Sequence, residues 1–436
     1  MWTRREFLRT AAASSVAAFA QKPRPNVLLI LIDDMGYADI GCFGAKDIRT
    51  PHIDRLAREG VKLTDCYSNG PVCTPTRCGL MTGRYQQRFG LEWALGPGVK
   101  GYGLRPENNT IARYLQQAGY RTGIFGKWHL GYEENVGPNR HGFDEFYGLL
   151  SGNVDHYSHQ EINKEADWYE NTKPITVEGY STELLRDRAV QFVEKGDGRP
   201  FFLYLPFNSV HWPFQGPGRP QDVRTRPTWF DGTRENDYKP MLESIDSAIG
   251  RVVDAIRKKG QLDNTLLIFT NDNGGERLSD NRPFFHHKGT LWEGGIRVPG
   301  IVRWPGHIRA GSVSAQPCMS MDLTATIADA CGVKPDAAQP FDGTSLLPVL
   351  EGKQGVQERT FFWRINRADR KQMACRRGNW KWIHDAGFEQ LYDLAKDPGE
   401  RKDMAYREPK LTAELSGLYA QWEKMLQKNP PPKVIA

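Results

Sequence analysis

PNVLLILIDD, residues 25–34, is an unbroken apolar run closed by two adjacent acids. A strand with one wet face would alternate apolar and polar residues. This one does not, so it reads as a strand buried on both faces, with its polar work at the C-terminal end. A helix follows in TPHIDRLAREG: Thr50 stands at the N-cap, Pro51 at the first helical position and Gly60 at the stop. The same alternation recurs. Helical TIARYLQQAGY (110–120) precedes strand-like RTGIFG, TELLRDRAVQFVEKG (182–196) precedes FFLYLPF, and 242–260 precedes TLLIFT (265–270). In the last helix Leu242, Ile245, Ile249, Val252, Val253 and Ile256 form one stripe. Helices alternating with apolar strands predict an α/β fold: a large mixed, mainly parallel sheet sandwiched by helices.

After residue 350 the texture changes. TFFWRIN, MACRRG, WKWIH and EQLYDL are short strand-like runs, and PKLTAELSGLYAQWEKMLQK (409–428) is helical. The expected division is a catalytic domain over 21–350 and a smaller C-terminal α+β domain with an antiparallel sheet over 351–436. The 436 residues are ample for both.

Ligands of parallel sheets gather beyond the carboxyl ends of the strands. The polar residues of interest fall there: Asp33 and Asp34, then Lys127 and His129, then His211, then Asp272 and Asn273. The acids and Asn273 are oxygen ligands suited to a hard divalent cation such as calcium or magnesium. The plain alternative is that one acid only caps the Met35–Gly36 turn. Lys127 and His129 are two apart, so in a strand they share a side, where ammonium and imidazole suit anion binding with proton transfer. Lys288 lies in the glycine-rich HHKGTLWEGGIRVPG, where cation and backbone can approach an anion. His286 and His287 read as a solvated loop pair. A lone histidine such as His211 is more often structural than catalytic.

The net charge is +6, of which Arg4, Arg5 and Arg9 against Glu6 put +2 in the first twenty residues. No dense Lys/Arg run follows, so a nucleic-acid partner is not expected. MWTRREFLRT followed by AAASSVAAFA reads as a twin-arginine export signal over residues 1–20, ending in a small-x-small site. That predicts an exported chain, periplasmic or secreted, with no membrane span after cleavage, since no later run reaches about 18 apolar residues. Such a chain leaves the cytoplasm folded, so chemistry on its cysteines comes first. The seven cysteines form no CxxC pair and are too few for a disulfide scaffold.

CTPTRCGLMTGR, residues 73–84, carries Cys73, Pro75, Arg77, Leu80, Thr82, Gly83 and Arg84. It resembles the signature of the type I sulfatases, in the alkaline phosphatase superfamily. Met81 stands where leucine is usual, Thr74 and Thr76 where serines are common, and Cys78–Gly79 where alanines are common. The resemblance continues through NVLLILIDDMGYADIGCFG, TPHIDRLAREG, GKWHLG, HGFDEFYG, NDNGG, KGTLWEGGIRVP and LYDLAKDPGE, nearly the whole chain. It implies that Cys73 is oxidised to formylglycine by a dedicated formylglycine-generating enzyme, a transient partner. A hydrated aldehyde offers two hydroxyls: one attacks sulfur, and the other expels sulfate as the aldehyde reforms. By the same resemblance Asp33, Asp34, Asp272, Asn273 and residue 73 are metal ligands, usually for calcium. Arg77 holds the diol and the charge on the metal side, Lys127 and Lys288 clamp sulfate, and His129 is the base for sulfate release. His211 sits by the leaving oxygen, with Lys288 as proton donor.

The implied activity is hydrolysis of sulfate monoesters. Two alternatives stand beside it: a formylglycine-dependent phosphonate or phosphate ester hydrolase, and a non-catalytic binder of sulfated glycans. The texture is similar to arylsulfatases and N-acetylgalactosamine-6-sulfatases, which implies a sulfated carbohydrate or small molecule as substrate. Trp128, Trp212 and Trp292 are candidate stacking surfaces, against the plainer reading that each packs in the core. Asn153, Asp155, His156 and His159 of SGNVDHYSH are candidate substrate readers in a loop.

Overall fold

The structure is a computed structural model and describes residues 24–220 and 229–427. The expected export signal lies outside the described residues. The large sheet contains β1 (Asn26–Ile32), β2 (Val61–Tyr67), β3 (Arg121–Lys127), β4 (Glu145–Leu149), the two-residue β5 (Tyr169–Glu170) and β6 (Lys173–Pro174), β7 (Phe201–Pro206), β8 (Thr265–Asn271), β9 (Arg297–Arg303), β10 (Ser312–Ser314) and β11 (Cys318–Met319). Its order is β10-β2-β9-β8-β1-β7-β3-β4-β5-β6, with β11 continuing beside β2. β1 is central and runs parallel to both neighbours, with Leu28 opposite Leu203 and Leu267. β3 runs parallel to β4 and β7. The reversed strands are β9, between β8 and β2, and β5, which runs against both β4 and β6 at the edge.

The unbroken apolar run of β1 is explained by two cores. Val27, Leu29 and Leu31 face one core; Leu28, Ile30 and Ile32 face the other; all six are buried. Helices α1 (Pro51–Glu59), α2 (Cys73–Thr82), α3 (Ile111–Gln117), α4 (Ser181–Glu194), α5 (Lys239–Lys258) and α6 (Ser320–Ala330) cover the two faces. α1, α4 and α5 pack on the even-numbered side of β1; α2, α3 and α6 pack on the odd-numbered side. The predicted stripe of α5 is buried in full. Thr50 stands at the N-cap of α1 as expected, but its hydroxyl does not cap the helix. It accepts from Gly41 N at 2.8 Å and donates to Asp54 at 3.2 Å, because a preceding turn competes for it.

The second sheet is antiparallel: β12 (Thr360–Asn366), β13 (Lys371–Arg377), β14 (Trp380–Asp385) and β15 (Phe388–Asp393), in that order. β12 buries Phe361, Trp363 and Ile365 toward the large-sheet body, while the alternate Phe362 stacks on Trp422 and Arg364 pairs with Glu423 of the C-terminal helix at 3.0 Å. α7 (Pro409–Gln427) lies on it through Leu415, Tyr419, Trp422 and Leu426. The same cluster takes in Tyr67, Leu291, Trp292 and Met319 from the large-sheet body, so the sheets share a core. Among the described residues, no helix is long and apolar enough to cross a membrane.

Candidate active site

Because β1, β3, β7 and β8 are mutually parallel, their C-terminal ends share one edge. Asp33 and Asp34 follow β1, Lys127 ends β3, His211 lies five residues past β7, and Asp272 and Asn273 follow β8. β2 ends at the same edge and delivers α2. Cys73 is the first residue of that helix. Pro75 falls in the first turn, where N–H groups lack intrahelical partners and a missing donor costs nothing. Arg77 is one turn on, on the face of Cys73. Gly83 ends the helix in the left-handed region, φ 68°, with its N–H on Gly79 O at 2.9 Å.

The charges interlock. Arg77, fully buried, donates to Asp272 at 2.8 Å and to the Lys127 carbonyl at 3.0 Å, and lies 3.5 Å from Asp33. The Lys127 ammonium is 2.5 Å from Asp33, and that of Lys288 is 2.6 Å from Asp34. Asn273 Nδ2 donates to Asp34 at 2.7 Å, Asp34 N donates to Asp272 at 3.3 Å, and Cys73 Sγ donates to Asp33 at 3.5 Å. His211 Nε2 is 3.5 Å from Asp34. Ligand atoms of Asp33, Asp34, Cys73 and His211 lie within 4.8 Å of one another. Asn273 Oδ1 is buried with no hydrogen-bond partner. The clustered Asp33 and Asp34 carboxylates, Asp272 bonded to Asp34 N, and the orphaned amide oxygen of Asn273 are a donor set that fits a hard divalent cation.

Burial would raise the Asp34 carboxyl, but the Lys288 ammonium bonded to it, with Lys127 nearby, outweighs that and holds it at about 2. Burial and the Asp33 charge push Asp272 up to about 6. Burial, with Asp33 adding to it, pushes the Cys73 thiol far above its ordinary range. Burial and Lys127 depress His129, while burial and Lys288 depress His211, so both rings are neutral. Their tautomers follow from their partners, since a carbonyl only accepts. His129 Nε2 donates to Leu95 O at 2.9 Å, leaving Nδ1 as a buried, unpartnered lone pair. His211 Nδ1 donates to Trp212 O at 2.7 Å, leaving Nε2 bare toward Asp34.

All of the expected site residues meet here, but not always for the expected reason. Lys127 and His129 do not share a strand face: β3 ends at Lys127, and His129 adopts φ 55°. A turn, rather than the pleat, brings the ring to the site. Trp128 is buried, donating to Val136 O at 3.0 Å, and Trp292 packs on Tyr392. Trp212 is half-buried and lies against His211. In the 151–159 loop, Asp155 accepts from Tyr157 N, Ser158 N and Gln215, while His156 meets Ser181 Oγ at 2.6 Å. His159 packs at a tilt against the Trp168 ring, centroids 4.4 Å apart. These three residues are spent on anchoring the loop to its surroundings; Asn153, bonded to Trp212 O at 3.3 Å, is the member beside the site. His286 and His287 are exposed, as expected.

Three residues were not foreseen. Thr74 Oγ1 donates to the His129 carbonyl at 3.0 Å and accepts from Leu95 N at 3.1 Å, so it fixes both the ring and the ring's acceptor. Asn271 holds the Met35 carbonyl at 2.7 Å, tying the β8 edge to the β1 edge. Glu276 is drawn into the same charge field as Asp34 and Lys288. Asn271 and Glu276 flank the Asp272–Asn273 pair in sequence, which was the available signal.

The sulfatase family profile matches residues 25–333, and a profile described as N-sulphoglucosamine sulphohydrolase, C-terminal, matches residues 282–428. The chain is 31% identical over 455 residues to N-acetylgalactosamine-6-sulfatase of Mus musculus, covering 91% of this chain and 85% of that protein. It is 30% identical over 515 residues to steryl-sulfatase of Mus musculus, covering 90% and 80%. Among solved structures, Ps i-CgsB superimposes with a TM-score of 0.86 at 32% identity, covering 94% of each chain; it has also been solved in complex with a neocarrahexaose. A profile match over most of the chain, together with relatives 30% and 31% identical over most of its length, fixes the conclusion: this chain belongs to the sulfatase family, the sulfuric ester hydrolases.

Proposed function

We propose that this protein hydrolyses sulfate monoesters of a sulfated carbohydrate, using residue 73 as formylglycine together with a bound calcium or magnesium ion. The observation that carries the reading is the setting of Cys73. It heads a helix, faces Asp33 at 3.5 Å, and lies in the cluster formed by Arg77, Lys127 and Lys288. The relatives named above act on sulfate esters by name, and the solved neighbour binds an oligosaccharide. Half-buried Trp212, beside His211, offers a ring on which a sugar face stacks.

When converted, residue 73 supplies an aldehyde hydrate as nucleophile. A divalent cation, held by Asp33, Asp34, Asp272 and Asn273, supplies Lewis-acid charge when bound. The remaining work falls to the side chains. Lys127 and Lys288 hold sulfate oxygens. Arg77 is locked by Asp272 and the Lys127 carbonyl, so it orients its neighbours without reorganising. His129 accepts the residue 73 proton at Nδ1, its free nitrogen. His211 has a bare Nε2, so it accepts rather than donates, and the ammonium of Lys288 is the donor to the leaving alcohol. Three carboxylates offset Arg77, Lys127 and Lys288. A bound divalent cation therefore leaves the cradle at +2, the complement of released sulfate.

The test is the mass of the tryptic peptide Leu63–Arg77 from protein made in its native host, paired with turnover of aryl sulfates and aryl phosphonates. The expected result is a mass below the encoded value by the cysteine-to-formylglycine difference, with sulfates preferred. An unmodified thiol without turnover sinks the proposal in favour of a glycan binder, and a phosphonate preference moves it to that ester class. The N-terminal arginine pair supports export of the folded chain as part of the same proposal, and fractionation of native cells checks it.

A further inference from the structure

Lys288 belongs to a loop on which the β12–β13 turn of the C-terminal sheet is pinned. On one side, Arg364 makes a two-pronged pair with Glu92 at 2.7 and 2.8 Å. On the other, Gln372 accepts from Leu291 N at 2.6 Å, three residues past Lys288. Between these anchors the turn is closed by Arg367 N on Arg370 O at 2.9 Å. It carries Arg367, Arg370 and Lys371 against a single acid, Asp369. The Arg367 guanidinium lies 4.5 Å from the centre of the Trp93 ring. The far edge of that ring reaches Gly289, where an added Cβ would sit 3.9 Å away. Arg370 is close enough for its charge to act on His286 in the same loop.

A guanidinium held over an indole is pre-ordered, at low entropic cost for each new hydrogen bond its fork makes. Asp369 uses part of the fork, at 2.9 and 3.0 Å, but the pair is open to solvent, with side chains 39% and 66% exposed. Such a pair is weak and exchanges readily for a stronger anion. Sulfate and carboxylate both match the fork.

We propose that Arg367, set on Trp93 beside the Lys288 loop, binds a second anionic group, sulfate or carboxylate, on a sugar next to the one that loses its sulfate. The inference rests on the carbohydrate-sulfatase reading above and makes the substrate a polyanionic oligosaccharide. Arg367 is then a specificity-determining residue supplied by the C-terminal sheet. On the His211 side the rim is aromatic, with Trp212 against Phe230, so the mouth has a cationic part and a stacking part.

The test is binding to the full chain carrying Cys73→Ala, which separates recognition from turnover. The probes are a monosulfated N-acetylgalactosamine, a galactan hexasaccharide sulfated on neighbouring sugars, and a tetrasaccharide of sulfated hexosamine and uronate. In this background an oligosaccharide should bind more tightly than the monosaccharide. Arg367→Ala should shrink that advantage by about 5- to 30-fold, and added salt should shrink it too. Asp369→Asn, which frees the fork, should enlarge it. Which oligosaccharide responds identifies the anion as sulfate or carboxylate. An advantage that is absent in the Cys73→Ala chain, or equal with and without Arg367→Ala in that chain, overturns the inference. Failure of the unsubstituted enzyme to turn over any sulfate ester overturns the functional proposal instead, since the binding measurements do not depend on turnover.

Discussion

Lys127→Met tests how the site is held and how it works. The substitution keeps the length of the side chain and removes its charge. Lys127 is fully buried, and its ammonium lies 2.5 Å from Asp33. Removing one partner of a buried pair strands the other and costs about 3–5 kcal/mol. A chain of 436 residues has an unfolding entropy of roughly 0.9 kcal/mol per kelvin at the midpoint, so the Tm should fall by about 3–5 °C. A donor lost at a developing oxyanion costs about 100- to 1,000-fold in kcat. The stranded carboxylate also makes a distinctive demand. Calcium should raise the Tm of the variant more than that of the unsubstituted protein, because the ion replaces the missing charge beside Asp33. Thermal melts with and without calcium, alongside aryl sulfate kinetics, read all three effects. A variant with unchanged Tm and less than about a fivefold loss of kcat would refute the charge-cradle reasoning.

Two further outcomes follow from groups away from the nucleophile. His141 packs on Trp128 and bonds Leu104 O at 2.9 Å, and burial lowers its imidazole to about 4. A depressed histidine is neutral in the fold, so its contribution is complete above the unfolded value of 6.5 and is lost as pH falls toward 4. That amounts to about 3 kcal/mol. His141→Gln should therefore flatten the fall in Tm between neutral pH and pH ~4.5, and an identical slope would remove His141 as its source. Lys381, fully buried, bridges Glu293 and Glu400 at 2.8 Å each, below the shared core. Lys381→Met should cost about 3–5 kcal/mol in denaturant melts, and adding Glu400→Gln should recover part of it by removing a stranded charge; no recovery would show that Glu400 is not a partner.

The C-terminal texture also translated directly: β12 alternates because Phe361, Trp363 and Ile365 enter the shared core, while Phe362 and Arg364 meet α7 in a partly exposed contact. Where the sequence reading fell short, the reason was local geometry. Period-two reasoning placed Lys127 and His129 on one face, but a strand that ends between them obeys turn conformations instead. The histidines of the 151–159 loop looked available because their partners, Ser181 and Trp168, lie outside the stretch.

By itself the sequence determined the two-faced burial of β1, the edge where polar residues collect, and the signature at Cys73. These are local matters: apolar periodicity states which faces are dry, and strand direction states which end meets water. Only the tertiary structure decided which imidazole nitrogen is free, which tryptophan faces the site, and that Arg367 comes to lie on Trp93. Each of those depends on a partner far away in the chain. A side chain's pattern states that it will be buried or polar, but the atom it meets is chosen only when the chain closes on itself.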